Sequence, residues 1–450
     1  MTKLRKERRL DKRFGGLFYL SQHLQRTKIP EFFDKWLPSR VPQAKYTFTD
    51  LILNLYFNVL VGSTRLTHGQ YNYDEIETYL GKKPPSPESV SAVLRDHLTV
   101  PSDFKKGSKS SHIHHEINHN APLNDLLIRT AVKTGVINPR FDHTLDMDAT
   151  IIPANKRDAE YTYEKSGKDV IRGYQPMVAI IDRMPVYVIG RNGNCPASAF
   201  MIDHTELVLK ALNRNGINVT KFRADSAAYN RNFMHFLHEK GINFYIRAKH
   251  IGKYFQQIHD LDLWSRKGLK QGSLTQYAEI DIPIPKRGDE GRVELYRLVC
   301  FTARSNSRKH GKVRYSDYAI ITNDWDMPIL NVIEFYNRRG AEELLFRDLK
   351  NHFNWSSVPH SYLKENTTYL ILTSICYVLY SMQRNVLSGR VHGVKKWTGL
   401  GKFRRKIIEI PGSLFESGLF IPSHRHTHAK IISVLKRFLG NPGNPLKFDF

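Results

Sequence analysis

The sequence is poor in cysteine, in acidic residues and in long apolar runs, and each shortage closes off a class of protein. The three cysteines in 450 residues, Cys195, Cys300 and Cys376, are too few and too scattered for a disulfide framework or a cysteine-rich zinc site, which fits a reducing compartment. The longest apolar run, Tyr369 to Met382, is broken by Thr373 and Ser374 and falls short of the roughly 20 residues a membrane span needs. The opening stretch MTKLRKERRLDKRF lacks the apolar segment of a signal peptide. The expectation is a soluble cytoplasmic protein with no membrane partner. No internal repeat stands out.

Against 43 Asp and Glu stand 68 Lys and Arg, a formal net charge of +25 spread from Lys3 to Lys447. A field of that sign attracts polyanions, because each cation that neutralises a phosphate releases condensed counterions. Nucleic acid is therefore the expected partner. With 41% hydrophobic and 11% aromatic residues, the chain has the composition of a folded protein, and global disorder is excluded.

Patterning divides the chain into five segments. Residues 1–120 read as a helical, basic DNA-binding domain opened by a basic arm over residues 1–14. Within it LILNLYFNVLV, between Thr49 as N-cap and Gly62, is a buried helix. YDEIETYL, stopping at Gly81, and PESVSAVLRDHL, capped by Ser86 with Pro87 in its first turn, resemble a helix-turn-helix pair. SDFKKGSKSSHIHHEINHNAP reads as a polar linker. Residues 121–250 mix paired strands with strand–helix alternation, the pattern of an α/β fold with a mixed sheet. Residues 251–325 read as a β-rich insertion. Residues 326–390 resume the core with one helix from Asp326, its N-cap, to about His352, and an apolar helix near 365–385. Residues 391–450 are a basic C-terminal region.

Carboxylates mark the chemistry. In LDMDATII, period-two alternation puts Asp146, Asp148 and Thr150 on one face of a strand and Leu145, Met147 and Ala149 on the other. Asp225 ends the apolar strand VTKFRAD, where ligands of α/β sheets commonly bind. In YNRRGAEELLFRDLKNHF, the residues Tyr336, Arg339, Glu343 and Lys350 fall within roughly 60° of one another on a helix advancing about 100° per residue, whereas Glu342 points about 100° away from Glu343. Three carboxylates converging from separate elements repel one another unless cations lie between them, and oxygen ligation favours Mg²⁺ or Mn²⁺. Two such ions, about 3.5 to 4 Å apart, serve phosphodiester cleavage and transfer.

The spacing Tyr-x2-Arg-x3-Glu-x6-Lys, met without a gap by Tyr336, Arg339, Glu343 and Lys350, resembles the signature of the insertion-sequence-four superfamily of bacterial DDE transposases. Asp148-Ala149-Thr150 matches that family's first-aspartate strand and Asp225 its second aspartate. YQPMVAII and RADSAAYN are similar to the branch typified by thirteen-eighty elements. The resemblance covers roughly residues 140–385. It implies an RNase H-like mixed-sheet core with a β-rich insertion, beside an all-α N-terminal domain. It also implies Asp148, Asp225 and Glu343 as catalytic and metal-binding residues for two Mg²⁺ ions, with Mn²⁺ able to substitute. Tyr336, Arg339 and Lys350 become DNA contacts. The partners implied are double-stranded DNA, as element terminal inverted repeats and as target, and a second copy of the chain in a synaptic homodimer. The alternatives are an inactive transposase-derived DNA-binding protein and a plain metal-dependent nuclease.

Other motifs carry less. His115-Glu116-Ile117-Asn118-His119 satisfies the HExxH zinc pattern but lies in polar sequence where a packed helix is required. His424, His426 and His428 alternate like one strand face. Cys376 and the tryptophans Trp325, Trp355 and Trp397 read as core, with base stacking as the functional alternative for the tryptophans.

Overall fold

The computed structural model describes residues 9–107, 110–163, 169–269, 273–286, 288–306, 313–415 and 419–440. The first eight residues of the predicted basic arm and the tail 441–450 lie outside this set. The N-terminal region opens with a strand, β1 (Arg9–Lys12), before α1 (Gly16–Arg26), α2 (Ile29–Trp36) and α3 (Phe48–Val61). Thr47 caps α3, where Thr49 was expected. The Thr47 hydroxyl accepts from the Asp50 N–H at 3.1 Å and Asp50 Oδ2 accepts from the Thr47 N–H at 2.7 Å, a reciprocal box that satisfies two otherwise orphaned donors. Gly62, at φ 105°, ends the helix in the left-handed region that favours glycine. After α4 (Tyr73–Leu80), stopped by Gly81, Ser86 caps α5 (Pro87–Val93).

The predicted polar linker is an antiparallel hairpin, β2 (Asp103–Gly107) and β3 (Ser110–Asn118). The N-terminal region is therefore not all-α. Its alternation was hidden because the buried face of β3 carries His115 beside Ile117, so one half of the period-two pattern looks polar. HExxH thus runs along a strand, where His115 and His119 do not share a helix face.

After α6 (Ala121–Lys133) come β4 (Asp142–Ala149), then β5 (Ile152–Pro153), β6 (Glu160–Tyr163) and β7 (Val170–Tyr174), which form a small separate sheet, and the hairpin β8 (Met177–Ile181) and β9 (Met184–Arg191). Strands and helices then alternate through α7 (Met201–Arg214), β10 (Asn218–Ala224), α8 (Arg231–Glu239), β11 (Asn243–Arg247) and α9 (Gly252–Asp260). Three long antiparallel strands follow, β12 (Leu274–Lys286), β13 (Asp289–Asn306) and β14 (Val313–Thr322). Ten strands make one mixed sheet in the order β12-β13-β14-β11-β10-β4-β8-β9-β3-β2. Only β10 runs parallel to its neighbours β4 and β11, the two pairings that need helical crossovers. The central order β9-β8-β4-β10-β11 fits an RNase H-like core.

Beyond β14 the chain forms α10 (Ile329–Asn337), a 3₁₀ turn over Arg338–Gly340, and α11 (Ala341–His352). One continuous helix was expected, starting at Asp326. Instead Pro328 holds the N-cap position, and Asp324 Oδ1 accepts from the N–H groups of Asp326 at 3.1 Å and Met327 at 3.0 Å. Next, α12 (Leu363–Leu387) is buried along nearly its whole length. It passes so close to β9 that a Cβ on Gly190 would fall 1.8 Å from Thr367 Oγ1. After α13 (Leu400–Phe403), Arg404 donates to the Leu60 and Val59 carbonyls at 2.6 and 3.0 Å, tying the C-terminal region to the end of α3. β15 (Gly412–Phe415) pairs with β1 and with β16 (Phe420–Pro422), and α14 (Arg425–Phe438) closes the described chain. His424 and His428 therefore border and begin a helix and do not share a strand face. Cys376 is buried, as are the other two cysteines. Trp355 is buried and donates to Thr373 Oγ1 at 3.1 Å, whereas Trp325 is 49% exposed. Among the described residues no helix is long and apolar enough to cross a membrane.

Candidate active site

Alternation along β4 buries Leu145 and Met147 on the face covered by α7, where Thr205 Oγ1 lies 3.4 Å from the Met147 sulfur. It turns Asp146 and Asp148 to the opposite face, under α10 and α11. β4 and β10 are parallel and in register with Asp146 opposite Arg223. Two residues further on, Asp148 and Asp225 stand at the carboxyl ends of adjacent strands, whose axes are about 4.8 Å apart. Asp148 Oδ1 accepts from the Ala149 N–H at 2.9 Å. Asp225 caps the short 3₁₀ turn that follows it, accepting from the Ala227 N–H at 2.8 Å.

Asp146 does not present an open carboxylate. It is 3% exposed, and Arg223 donates to both its oxygens, at 2.7 and 2.6 Å, while a third guanidinium N–H reaches the Phe335 carbonyl at 2.7 Å. This one side chain joins β4, β10 and the end of α10.

Of the two glutamates in the signature helix, Glu342 is brought to the aspartates. It is 3% exposed, whereas Glu343 faces solvent. The cause is the turn at Arg338–Gly340. In 3₁₀ geometry residues three apart eclipse one another, so Glu342 stacks over Arg339 and the stripe expected from an unbroken α-helix is lost. Arg339 Nη2 lies 3.0 Å from Asp148 Oδ2 and 3.3 Å from Glu342 Oε2. Lys350, four turns along the expected stripe from Tyr336, donates to the Ile151 carbonyl at 2.7 Å, holding the loop after β4. Tyr336 is half-buried, and burial raises its pKa.

The charges balance internally. Burial, then the nearby Asp146 carboxylate, pushes Glu342 well above the usual carboxylate range. Burial also raises Asp146, but Arg223 grips both its oxygens, so Glu342 is the member of the pair that keeps a proton and shares it with Asp146. Burial alone would lower Arg339, and Glu342 and Asp148 more than offset this, leaving its guanidinium firmly charged. A cavity of about 280 Å³, lined by Asp146, Arg223, Phe335, Arg338, Glu342 and Trp397, opens beside the cluster. Trp397 is covered there by Arg183, 4.2 Å from its ring centroid.

These carboxylates supply the oxygen donors that a hard cation takes. Their arrangement does not fit one: Arg339 bridges Asp148 to Glu342, Glu343 points outward, and among the described residues no three His, Cys, Asp or Glu side chains are placed to hold an ion. Sequence reasoning set Glu342 aside and passed over Arg223. The second had a signal, since Arg223 precedes Asp225 by the same two residues that separate Asp146 from Asp148.

The family model described as "Transposase DDE domain" matches residues 139–379, just over half of the chain. A solved structure similar to the chain is the cryo-EM structure of the piggyBac transposase synaptic complex with hairpin DNA, at 10% identity and a TM-score of 0.38, covering 97% of this chain and 85% of that one. No curated protein matches.

Proposed function

The chain belongs to the transposase DDE domain family, and from that premise we propose that it catalyses cut-and-paste transposition of an insertion sequence, cleaving DNA strands at the element ends and joining the freed 3′ ends to target DNA. The observation that carries this reading is the pair Asp148 and Asp225 at the ends of adjacent parallel strands, with the signature turn of Arg339 folded over them. An all-carboxylate donor set suits Mg²⁺, with Mn²⁺ as substitute, and two ions are part of the proposal.

In this reading Asp148, Asp225 and Glu343 form the acidic set. Tyr336, Arg339 and Lys350 position the phosphate backbone at the cleaved end, where guanidinium and ammonium groups oppose the charge on the phosphate oxygens. Water first forms a bond to phosphorus as the bond to the 3′ oxygen breaks. The released 3′-hydroxyl then attacks a target phosphodiester in line, and the target's own 3′ oxygen leaves. No covalent protein intermediate is required. The net charge of +25 favours duplex DNA as the partner, and a dimer bridging both element ends completes the proposal.

A second reading concerns the third carboxylate. Glu342, buried beside Asp146 and Asp148, is favoured over Glu343 by its position. The test is a strand-transfer assay with Mg²⁺ and labelled DNA bearing the inverted repeats that flank the gene. Joined products from the wild type, lost in Glu343→Gln and kept in Glu342→Gln, support the first assignment, and the reverse pattern supports the second. Cutting without joining identifies a nuclease, and binding without cutting an inactive relative.

A further inference from the structure

The mismatch between the acidic set and a metal site has a specific cause. Arg339 is largely buried, at 16% side-chain exposure, and its Nη2 lies within 3.0 Å of Asp148 and 3.3 Å of Glu342. A guanidinium so placed does the electrostatic work of a cation between carboxylates. It is held there by the Arg338–Gly340 turn, which eclipses Arg339 and Glu342. A Cβ on Gly340 would meet nothing within 4 Å, so the turn has room to move.

We propose that Arg339 is an internal counter-cation competing with a divalent ion for Asp148, so that the ion enters as the guanidinium leaves Asp148 and Glu342 and becomes free for a DNA phosphate. This rests on the transposase reading, and it adds an order of events: loading of the acidic set and release of Arg339 toward the strand are one exchange. An exchange differs from a simple field effect. If Arg339 acted only through its charge, a lysine in its place would repel the ion equally. Lysine, however, is a point charge without the planar fork that bridges two carboxylates, so it holds the closed arrangement poorly.

The experiment titrates Mn²⁺ into the full-length protein without DNA and reads binding by calorimetry. Asp148→Asn should abolish uptake, which ties the signal to the site. Arg339→Lys should then bind Mn²⁺ on the order of tenfold more tightly than wild type; equal or weaker binding overturns the exchange. Glu342→Gln provides an independent arm. Losing a negative charge should weaken cation binding on field grounds, whereas losing an anchor of Arg339 should tighten it, so weaker or unchanged binding also overturns the proposal. Should either variant fail to fold, a structure of the wild type with Mn²⁺ decides. Arg339 displaced from Asp148 supports the exchange, and Arg339 still at hydrogen-bond distance contradicts it. A wild type that takes up no ion through Asp148 sinks the transposase reading itself; uptake without tightening in the variants removes the exchange alone.

Discussion

Arg223 on β10 donates to both oxygens of Asp146, its partner across the parallel ladder on β4, at 2.7 and 2.6 Å. The pair is nearly sealed, at 12% and 5% side-chain exposure. Both residues lie two positions before the aspartates proposed for catalysis, so the pair sets the spacing of the strand ends that carry them. Removing one partner strands a buried charge. Asp146→Leu is expected to cost about 3–5 kcal/mol of unfolding free energy in urea melts. Pairing it with Arg223→Met should recover most of that loss, since an apolar pair leaves no uncompensated charge. A single substitution costing under about 1 kcal/mol would show that the pair is not the strut described.

Buried histidines should make the protein acid-sensitive. His204 is fully buried beside His119 and Phe200, and burial, then Arg191, lowers its pKa to about 2; His23 and His360 are lowered to about 4, chiefly by burial. The unfolded chain binds a proton at each of these sites below the ordinary pKa of 6.5, while the folded chain does not. The unfolded state therefore holds more protons there, and stability falls as pH drops below about 6.5. His204→Phe should flatten that acid limb in thermal melts between pH 7 and 5. An acid limb as steep as that of the wild type would contradict the assignment.

Close contact of α12 with β9 depends on Gly190. Its Cβ would stand 1.8 Å from Thr367 Oγ1 and 2.9 Å from Thr367 Cβ. Gly190→Ala should destabilise by about 1–3 kcal/mol through overpacking. Adding Thr367→Ala should relieve part of that, a non-additivity readable in a double-mutant cycle. Strict additivity would mean the two residues do not press on each other.

Much of this molecule was legible in the sequence where the signal is local. LDMDATII shows its two faces by alternation, Ser86 and Gly81 mark helix ends, and the Tyr336 to Lys350 spacing identifies the signature helix. What stayed hidden depends on pairing across the chain or on a small change of backbone twist. The pairing of β1 with β15 joins segments roughly 400 residues apart, and no local pattern reports it. The hairpin of β2 and β3 was masked because His115 occupies its buried face. The choice between Glu342 and Glu343 turned on three residues, Arg338 to Gly340. A tightening from α to 3₁₀ there moves the eclipsed position from four residues on to three. Gly340, a poor helix former, was the one sequence cue to that break.

Strand transfer by Asp148→Asn and Asp225→Asn, each measured beside the wild type with Mg²⁺ and DNA carrying the element ends, tests most directly whether these two strand-end carboxylates carry the chemistry. Each variant should still bind the DNA but lose joined product by at least about 10³-fold, equivalent to ~4 kcal/mol of transition-state stabilisation. Transfer within about tenfold of wild type in either variant would contradict that assignment.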